Sequence, residues 1–227
     1  MVLDLRLSKD WVVVRQSFFF FCVFQKLFVL LQPEMKNGFE TEDLREAVRV
    51  MRAGGIILYP TDTVWGIGCD ATNSKAVQKI FALKHRADSK SMLVLLDDAA
   101  KLVSYVYVPE TARQLLYVAE EGRPMTIIYP DAEGVANELI ADDGSLGIRI
   151  TTEPFSKALC AQLGRPIVST SANISGEAAA PTFAQISDTI KKGVDYICRY
   201  RQNDNTPQKP SAIIKVEKDN RIVIIRS

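Results

Sequence analysis

The chain has 227 residues, of which 47% are hydrophobic and 24% are charged, a composition typical of a globular protein with a well-buried core. Its formal net charge is +1, so overall charge gives no reason to expect a nucleic acid or a membrane surface as the partner. His85 is the single histidine, which excludes Ser-His-Asp and Cys-His catalysis unless this residue is itself the base.

The cysteines are widely spaced and form no Cys-x-x-Cys pattern: Cys22, Cys69, Cys160 and Cys198. Because no clear secretory signal precedes them, we expect reduced thiols in a cytoplasmic protein, with no disulfide partner and no zinc site. Gly-x-Gly-x-x-Gly and Gly-Lys-Ser/Thr patterns do not occur in the sequence. The sequence therefore supports neither a dinucleotide-binding fold nor a P-loop ATPase.

The N-terminal part of the chain differs from the rest. Residues 18–31 are strongly apolar but contain Gln25 and Lys26, and the run is shorter than the roughly 20 residues that a membrane-spanning helix needs. A signal peptide is an alternative interpretation, but no small-x-small cleavage pattern follows, and Asp4 and Asp10 lie in the n-region. We interpret residues 1–34 as an atypical hydrophobic extension from a misassigned start codon, or alternatively as an arm that packs on the domain or on a partner chain. A single domain is expected over residues 35–227.

The remaining elements follow from hydrophobic spacing. Apolar residues at helical spacing predict a first helix that begins near Thr41 and ends at Gly54. The apolar run at residues 56–59 predicts a buried strand that Pro60 ends, because proline cannot donate to a sheet ladder. Further helices are expected near residues 74–83, 101–106, 109–120, 155–163 and 183–190, and further strands near residues 92–96, 126–129, 145–150, 167–168, 196–197, 211–216 and 222–225. Without a regular βαβ repeat, this pattern predicts an α/β domain with a mixed, twisted sheet.

A polar loop follows the first predicted strand. Thr61, Asp62 and Thr63 succeed the proline, and Gly66 and Gly68 let the backbone turn or approach a ligand closely. Polar groups at a strand end are a common way to build a small-molecule site in an α/β protein. A surface turn stabilised by threonine and aspartate side chains explains the same residues, so this loop alone leaves both interpretations open.

A basic cluster lies between a predicted helix and the next strand. It consists of Lys84, His85 and Arg86, with Lys90 four residues further on. These residues fit a solvated turn that complements the helix dipole. They also fit a phosphate clamp, since lysine and arginine donors bind phosphate oxygens well.

Two further polar segments accompany predicted strands. Residues 169–176 combine hydroxyl groups with an amide, which suits either a nucleotide or amino-acid site or simple loop capping. Arg149 lies between two isoleucines in the second segment, residues 145–150. On an edge strand such an arginine is exposed, whereas facing a cavity it becomes a natural fork for a carboxylate.

Taken together, these segments resemble the YrdC-like family, the L-threonylcarbamoyladenylate synthases, in its single-domain form. The resemblance runs from about residue 40 to the C-terminus, and the common order of the segments makes it specific. The matching segments are residues 60–68, 83–86 with Lys90, 146–150, 169–176 with 181–182, 210–214 and 225–226. The fold implied by the resemblance is a twisted mixed β-sheet with flanking helices and a concave, positively lined cavity.

The activity implied by the resemblance is the formation of threonylcarbamoyl-AMP and pyrophosphate from L-threonine, bicarbonate and ATP. Its product feeds the threonylcarbamoyladenosine modification of tRNA. The implied cofactor is Mg²⁺, which accompanies ATP. RNA or tRNA and the downstream threonylcarbamoyl-transfer enzymes are candidate further partners, whereas no membrane partner is expected. Such a reaction needs no protein nucleophile, because positioning and charge stabilisation can supply the catalysis.

The resemblance also implies roles for individual residues. It implies that threonine is bound by Thr61, Thr63, Arg149, Ser169 and Ser211. It implies that ATP is bound by Lys84, Arg86, Lys90, Ser145, Ser171, Asn173 and Arg226, of which Arg86 and Lys90 are the catalytic residues. No metal-binding residues are implied in the protein itself.

The sequence departs from the family pattern at three places. Trp65 stands where a tyrosine is usual, residues 122–126 replace a longer motif, and Ala180 replaces a serine that precedes Pro-Thr. Two alternatives therefore remain. One is a YrdC-like RNA-binding protein without synthase activity, whose affinity would fall steeply with salt. The other is a carbamoyl-transfer module like the one in hydrogenase maturation proteins, but it is embedded there in much longer chains with zinc-finger and acylphosphatase-like segments, and this sequence shows neither.

Overall fold

The computed structural model describes residues 35–36, 38–85, 92–120 and 124–226. The interpretation of residues 1–34 falls outside the described residues, and so do Cys22 and the two expected catalytic residues, Arg86 and Lys90.

The described strands follow the predicted ones closely, with a short N-terminal hairpin and one further strand added. They are β1 (Met35–Lys36), β2 (Phe39–Glu40), β3 (Ile57–Tyr59), β4 (Gly66–Gly68), β5 (Leu93–Leu96), β6 (Met125–Tyr129), β7 (Leu146–Ile150), β8 (Ile167–Ser171), β9 (Tyr196–Ile197), β10 (Ala212–Val216) and β11 (Ile222–Arg226).

The described helices are α1 (Thr41–Arg52), α2 (Ser74–Leu83), α3 (Glu110–Glu120), α4 (Pro154–Leu163) and α5 (Asp188–Gly193). The prediction of one helix over residues 183–190 is wrong. A 3₁₀ turn covers Phe183–Gln185, and Ser187 then caps a new helix, since its hydroxyl accepts from the Ile190 amide.

Nine strands form one sheet in the order β11-β10-β6-β7-β5-β8-β4-β3-β9, while β1 and β2 pair separately. The pairs β10/β6, β5/β7 and β3/β9 are parallel. The other pairs of the sheet are antiparallel. The predicted mixed sheet with flanking helices is therefore confirmed.

Alternation of side chains along the strands divides the core between the two faces of the sheet. In β5, Val94 and Leu96 join the core that contains α2, whereas Leu95 joins the core that contains α1 and α4. Successive residues of a strand point to opposite faces of the sheet, so alternate side chains pack into the two helix layers. We call the two sides the α2 face and the α1 face.

The strand β4 was predicted as part of a loop, and its Gly68 has a packing role that the prediction did not include. A Cβ atom on Gly68 would lie 2.6 Å from the Val168 carbonyl oxygen and 2.6 Å from a ring carbon of Tyr59. Glycine is thus required for close strand packing and not for a turn. Pro60 does follow the last residue of β3, as predicted.

No helix in the described ranges is long and apolar enough to cross a membrane. Cys69, Cys160 and Cys198 are buried free thiols. Burial raises the pKa of each of these thiols, which keeps them protonated and weakly nucleophilic.

Candidate functional site

A cavity of about 510 Å³ lies over strands β6, β7, β8 and β10. Arg149, which lines the cavity, pairs with Leu95 across the β5/β7 ladder. Paired residues on neighbouring strands point to the same face, and Leu95 belongs to the core of the α1 face. The cavity therefore occupies the α1 face of the sheet.

The lining residues follow the strand period of two. At β7 they are Ser145, Gly147 and Arg149, and at β10 they are Ser211, Ile213 and Lys215. Along β7 and β10 and the residue before each, every second position faces the cavity, and all of these positions except Ile213 are polar or small. This alternation is a signal that the sequence carries for Lys215, although our sequence analysis did not use it.

Arg226 reaches the cavity through an irregularity in β11. Simple alternation would place Arg226 and Ile224 on the same face. In the β10/β11 ladder, however, Arg226 pairs with Ile213 while Ile224 pairs with Ile214, so Ile225 is an extra residue. Bulges of this kind redirect side chains. Arg226 consequently shares the cavity face with Ile213.

Arg149 is buried within the sheet, since β7 lies between β6 and β5. Its Nε lies 3.1 Å from Oδ1 of Asp62, and the two side chains are 3% and 8% exposed. Neither atom has a hydrogen-bonding partner among the described residues. Burial raises the pKa of Asp62, and the positive charge of Arg149 opposes this shift. The expectation of an edge-exposed arginine is excluded, whereas a carboxylate fork facing a cavity fits this position.

The two arginines of the cavity influence each other. Burial lowers the pKa of Arg226, and the nearby positive charge of Arg149 lowers it further. The Nε of Arg226 donates to the Ser211 carbonyl oxygen at 2.9 Å, and the Ser211 hydroxyl lies 2.9 Å from that of Thr126. An anionic ligand between the two guanidinium groups would relieve their repulsion.

The loop after β3 is a turn and a cavity wall at once. The Thr61 hydroxyl donates to the Val64 carbonyl at 2.8 Å and accepts from the Thr63 amide at 3.0 Å. Thr63 lines the cavity, whereas Thr61 is buried and orders the turn. The Ser156 hydroxyl of α4 donates to the Pro60 carbonyl at 2.7 Å, which anchors the loop to a helix.

Lys84 lies behind the cavity wall formed by the end of β8. Its Nζ donates to the carbonyl oxygens of Ser171 and Asn173 at 2.5 and 2.6 Å, and the residue is 1% exposed. The Asn173 amide nitrogen donates to two backbone carbonyls of the following turn, while its Oδ1 is buried without a partner among the described residues. Lys84 thereby fixes the wall on which Ser171 and Asn173 stand.

At the other end of the cavity, Asp143 bridges two strands. Its Oδ1 accepts from the Ser145 hydroxyl at 2.6 Å, and its Oδ2 accepts from Lys215 Nζ at 2.7 Å. Lys215 also lies 3.1 Å from Glu217. Hydrogen bonds from Lys215 and Ser145 lower the pKa of Asp143 to about 2. Sequence analysis singled out Ser145 but missed Asp143 and Lys215.

The cavity brings together residues that are far apart in the sequence. The predicted site residues that line it are Thr63, Ser145, Arg149, Ser169, Ser171, Asn173, Ser211 and Arg226. Further polar lining residues that were not predicted are Thr126, Asp143, Thr170, Glu177 and Lys215. Within the described ranges, no group of three His, Cys, Asp or Glu residues is arranged to hold a metal ion.

Comparison with known proteins gives one consistent family. The Sua5/YciO/YrdC family model, described as telomere recombination, matches residues 49–227. The chain is 35% identical over 157 residues to the threonylcarbamoyl-AMP synthase of Idiomarina loihiensis, which covers 68% of this chain and 84% of that protein. It is 38% identical over 156 residues to the enzyme of the same name from Nitrosococcus oceani, covering 68% and 83% of the two chains.

Solved structures share the fold. The crystal structure of E. coli YciO superposes with a TM-score of 0.73 at 26% identity, over 86% of this chain and 92% of that one. The crystal structure of P. abyssi Sua5 complexed with L-threonine superposes with a TM-score of 0.70 at 23% identity, over 81% of this chain and 53% of that one.

Proposed function

This chain belongs to the Sua5/YciO/YrdC family, and on that premise we propose that it is a threonylcarbamoyl-AMP synthase. As a nucleotidyltransferase it would join L-threonine, bicarbonate and ATP, and release pyrophosphate. Its product would serve the threonylcarbamoyladenosine modification of tRNA in the cytoplasm. The observation that carries the proposal is a cavity in which Arg149 and Arg226 stand among hydroxyl groups from β8 and from the segments before β7 and β10.

The threonine end of the site is assigned to Arg149. Its buried guanidinium suits a carboxylate, because a planar fork of donors matches two carboxylate oxygens. Thr63, Ser169 and Ser211 supply hydroxyl groups nearby that suit the amine and the hydroxyl of threonine. Thr61 supports this end indirectly, since its hydroxyl orders the turn that carries Thr63.

The nucleotide end is assigned to Ser145, Ser171, Asn173 and Arg226, with Lys84 holding the wall behind two of them. Arg86 and Lys90 would contact the phosphates and stabilise the charge that develops there. Mg²⁺ would arrive with ATP, whose phosphate oxygens are the ligands that it prefers.

The reaction then needs two bond-forming steps. The threonine amine adds to the carbon of bicarbonate, and loss of water gives a carbamate. A carboxylate oxygen of the carbamate attacks the α-phosphorus of ATP, the α–β phosphoanhydride bond breaks, and the electron pair leaves with pyrophosphate. The carbamate hydrolyses readily in water, so catalysis depends on a cavity that excludes water and holds the reactants together.

The test is pyrophosphate release by the full chain with ATP, Mg²⁺, bicarbonate and L-threonine. Parallel reactions replace threonine with L-serine, omit the amino acid or omit bicarbonate. We expect release that requires both threonine and bicarbonate, and intact-mass detection of threonylcarbamoyl-AMP. Release that is independent of threonine, or none at all from protein that binds both substrates, would contradict the proposal.

A further inference from the structure

The bridge between Asp143 and Lys215 lies at a defined distance from the two arginines of the cavity. Lys215 pairs with Ile128 on β6, and Ile128 pairs with Gly147 on β7, so Lys215 and Gly147 lie in one row across the sheet. Arg149 is two residues further along β7, which places it roughly 7 Å from the row that contains Lys215.

Arg226 lies on the arginine side of this arrangement. It pairs with Ile213, which is two residues from Lys215 along β10. Ser145 lies two residues from Gly147 in the opposite direction from Arg149. The cavity floor therefore carries Arg149 and Arg226 at one end, and Lys215 with Ser145 and Asp143 at the other.

The two ends differ in charge. Counting Asp62 beside Arg149, the arginine end holds two positive charges and one negative charge, whereas Lys215 is flanked by the carboxylates of Asp143 and Glu217, at 2.7 and 3.1 Å. One ammonium beside two carboxylates leaves a net negative charge, which repels phosphate. Neutral hydroxyl groups can bind at the Lys215 end, because its carboxylates accept hydrogen bonds and its ammonium group donates them.

We infer that Asp143 and Lys215 bind the ribose hydroxyls of the nucleotide. This inference rests on the proposed function, in which Arg226 belongs to the nucleotide end, and on the charge difference, which favours the phosphates beside Arg226 over the Lys215 end. A nucleotide so placed extends its ribose away from the arginines along the cavity floor, toward the bridge. A vicinal diol offers two groups that each donate and accept, so one hydroxyl donates to Asp143 while the other accepts from Lys215.

Ser145 gives the bridge a fixed geometry. Its hydroxyl and its amide both donate to Oδ1 of Asp143, at 2.6 and 3.0 Å. These two hydrogen bonds within the turn fix the orientation of the Asp143 carboxylate at the cavity. Oδ2 faces Lys215 and provides the acceptor that a ribose hydroxyl would share. Asp143 and Lys215 thereby become determinants of ribonucleotide over deoxyribonucleotide.

The experiment measures binding of ATP, 2′-deoxyATP and 3′-deoxyATP to the full chain by titration calorimetry, without threonine or bicarbonate. Wild type should bind ATP about 10-fold more tightly than at least one deoxy analogue, because a charge-assisted hydrogen bond is lost. Asp143→Ala and Lys215→Met should lower the ratio of ATP affinity to deoxy-analogue affinity to about 2 or less, mainly because they weaken the binding of ATP. Lys215→Arg should retain most of the preference, since it restores a cationic donor.

Lys218→Ala is the matched control. Lys218 also forms a 2.7 Å ion pair with an aspartate, Asp131, but the two side chains are 62% and 53% exposed and neither lines the cavity. The Lys218→Ala variant should leave the ratio of ATP affinity to deoxy-analogue affinity unchanged. Thermal melting verifies that each variant is folded. If Asp143→Ala does not fold, the affinity ratio of Lys215→Met tests the inference by itself.

Three outcomes overturn the inference: no discrimination by wild type, an unchanged ratio in both bridge variants, or no ATP binding. The proposed function fails separately. If the ratio behaves as expected but no threonine-dependent pyrophosphate is released, the ribose assignment stands and the synthase assignment is rejected.

Discussion

Arg149 Nε and Asp62 Oδ1 lie 3.1 Å apart, and both side chains are almost completely removed from solvent. Asp62 belongs to the loop that presents Thr63 to the cavity, and Arg149 lines the same cavity from β7. The pair thus ties the loop after β3 to the sheet and gives the buried guanidinium of Arg149 a counter-charge.

Removal of one member of this pair should cost stability. Arg149→Met leaves the Asp62 carboxylate buried without its counter-charge, and we expect the free energy of unfolding to fall by about 3–5 kcal/mol. The double variant Arg149→Met with Asp62→Asn should recover a large part of that loss, because no uncompensated charge remains. Urea denaturation measures both.

The double variant Arg149→Met with Asp62→Asn should not regain synthase activity when it regains stability. The double variant lacks the guanidinium that we assign to threonine, so threonine-dependent pyrophosphate release should stay at background. Arg45→Ala serves as the control, since Arg45 is 59% exposed and pairs only loosely with Glu42, at 3.8 Å. A double variant with near-normal turnover would remove Arg149 from the substrate site.

The bridge at Asp143 should give stability a pH dependence in the acid range. Its pKa is lowered to about 2 from the ordinary value of 3.8, so the unfolded chain binds this proton more readily than the folded one. The contribution of the bridge is therefore fully present above pH 3.8 and is lost as pH falls toward 2.

The comparison is between wild type and Asp143→Asn, by urea denaturation from pH 2 to 6. The stability difference between them should shrink steadily below about pH 4 and vanish near pH 2. Because Asp143 is 53% exposed, solvent screening keeps the effect modest. A difference that is constant over this range would show that the ion pair with Lys215 does not contribute.

Lys84 should act on the site through the backbone. Lys84→Met leaves the carbonyls of Ser171 and Asn173 without this donor, and we expect a loss of about 2–4 kcal/mol in stability. ATP affinity should fall as well, because the wall that carries both residues loses its anchor. Lys75→Ala, at an exposed position of α2, the helix that Lys84 directly follows, is the control and should change neither quantity.

Arg86 is expected to act in catalysis itself. Arg86→Ala should abolish pyrophosphate release, because the charge on the reacting phosphates loses a stabilising donor. The melting temperature should remain close to that of wild type. Kinetics over a range of ATP concentrations, with saturating threonine, distinguish the cases: near-normal rates at every ATP concentration would remove Arg86 from the reaction, whereas recovery only at high ATP would assign it to binding alone.

The sequence by itself determined the local elements and the segments that carry the site. Helical spacing placed α1, and Pro60 marked the end of β3, because backbone preferences and side-chain period are encoded by neighbours along the chain. The second helix covers the predicted residues 74–83, and the side chain of Asn73 caps it by accepting from the Ala76 amide. The polar segment after β3 and the one that begins within β8 were both singled out as candidates, and residues of both line the cavity.

Tertiary structure decided how these segments meet. No single segment of the sequence specifies which strands become neighbours. The sheet places β10 beside β6, and it places β8 between β5 and β4. That order buries Arg149 beside Asp62, and the extra residue Ile225 directs Arg226 into the same cavity. Burial, charge pairing and the orientation of a side chain depend on contacts between distant parts of the chain, and these contacts exist only once the sheet has formed.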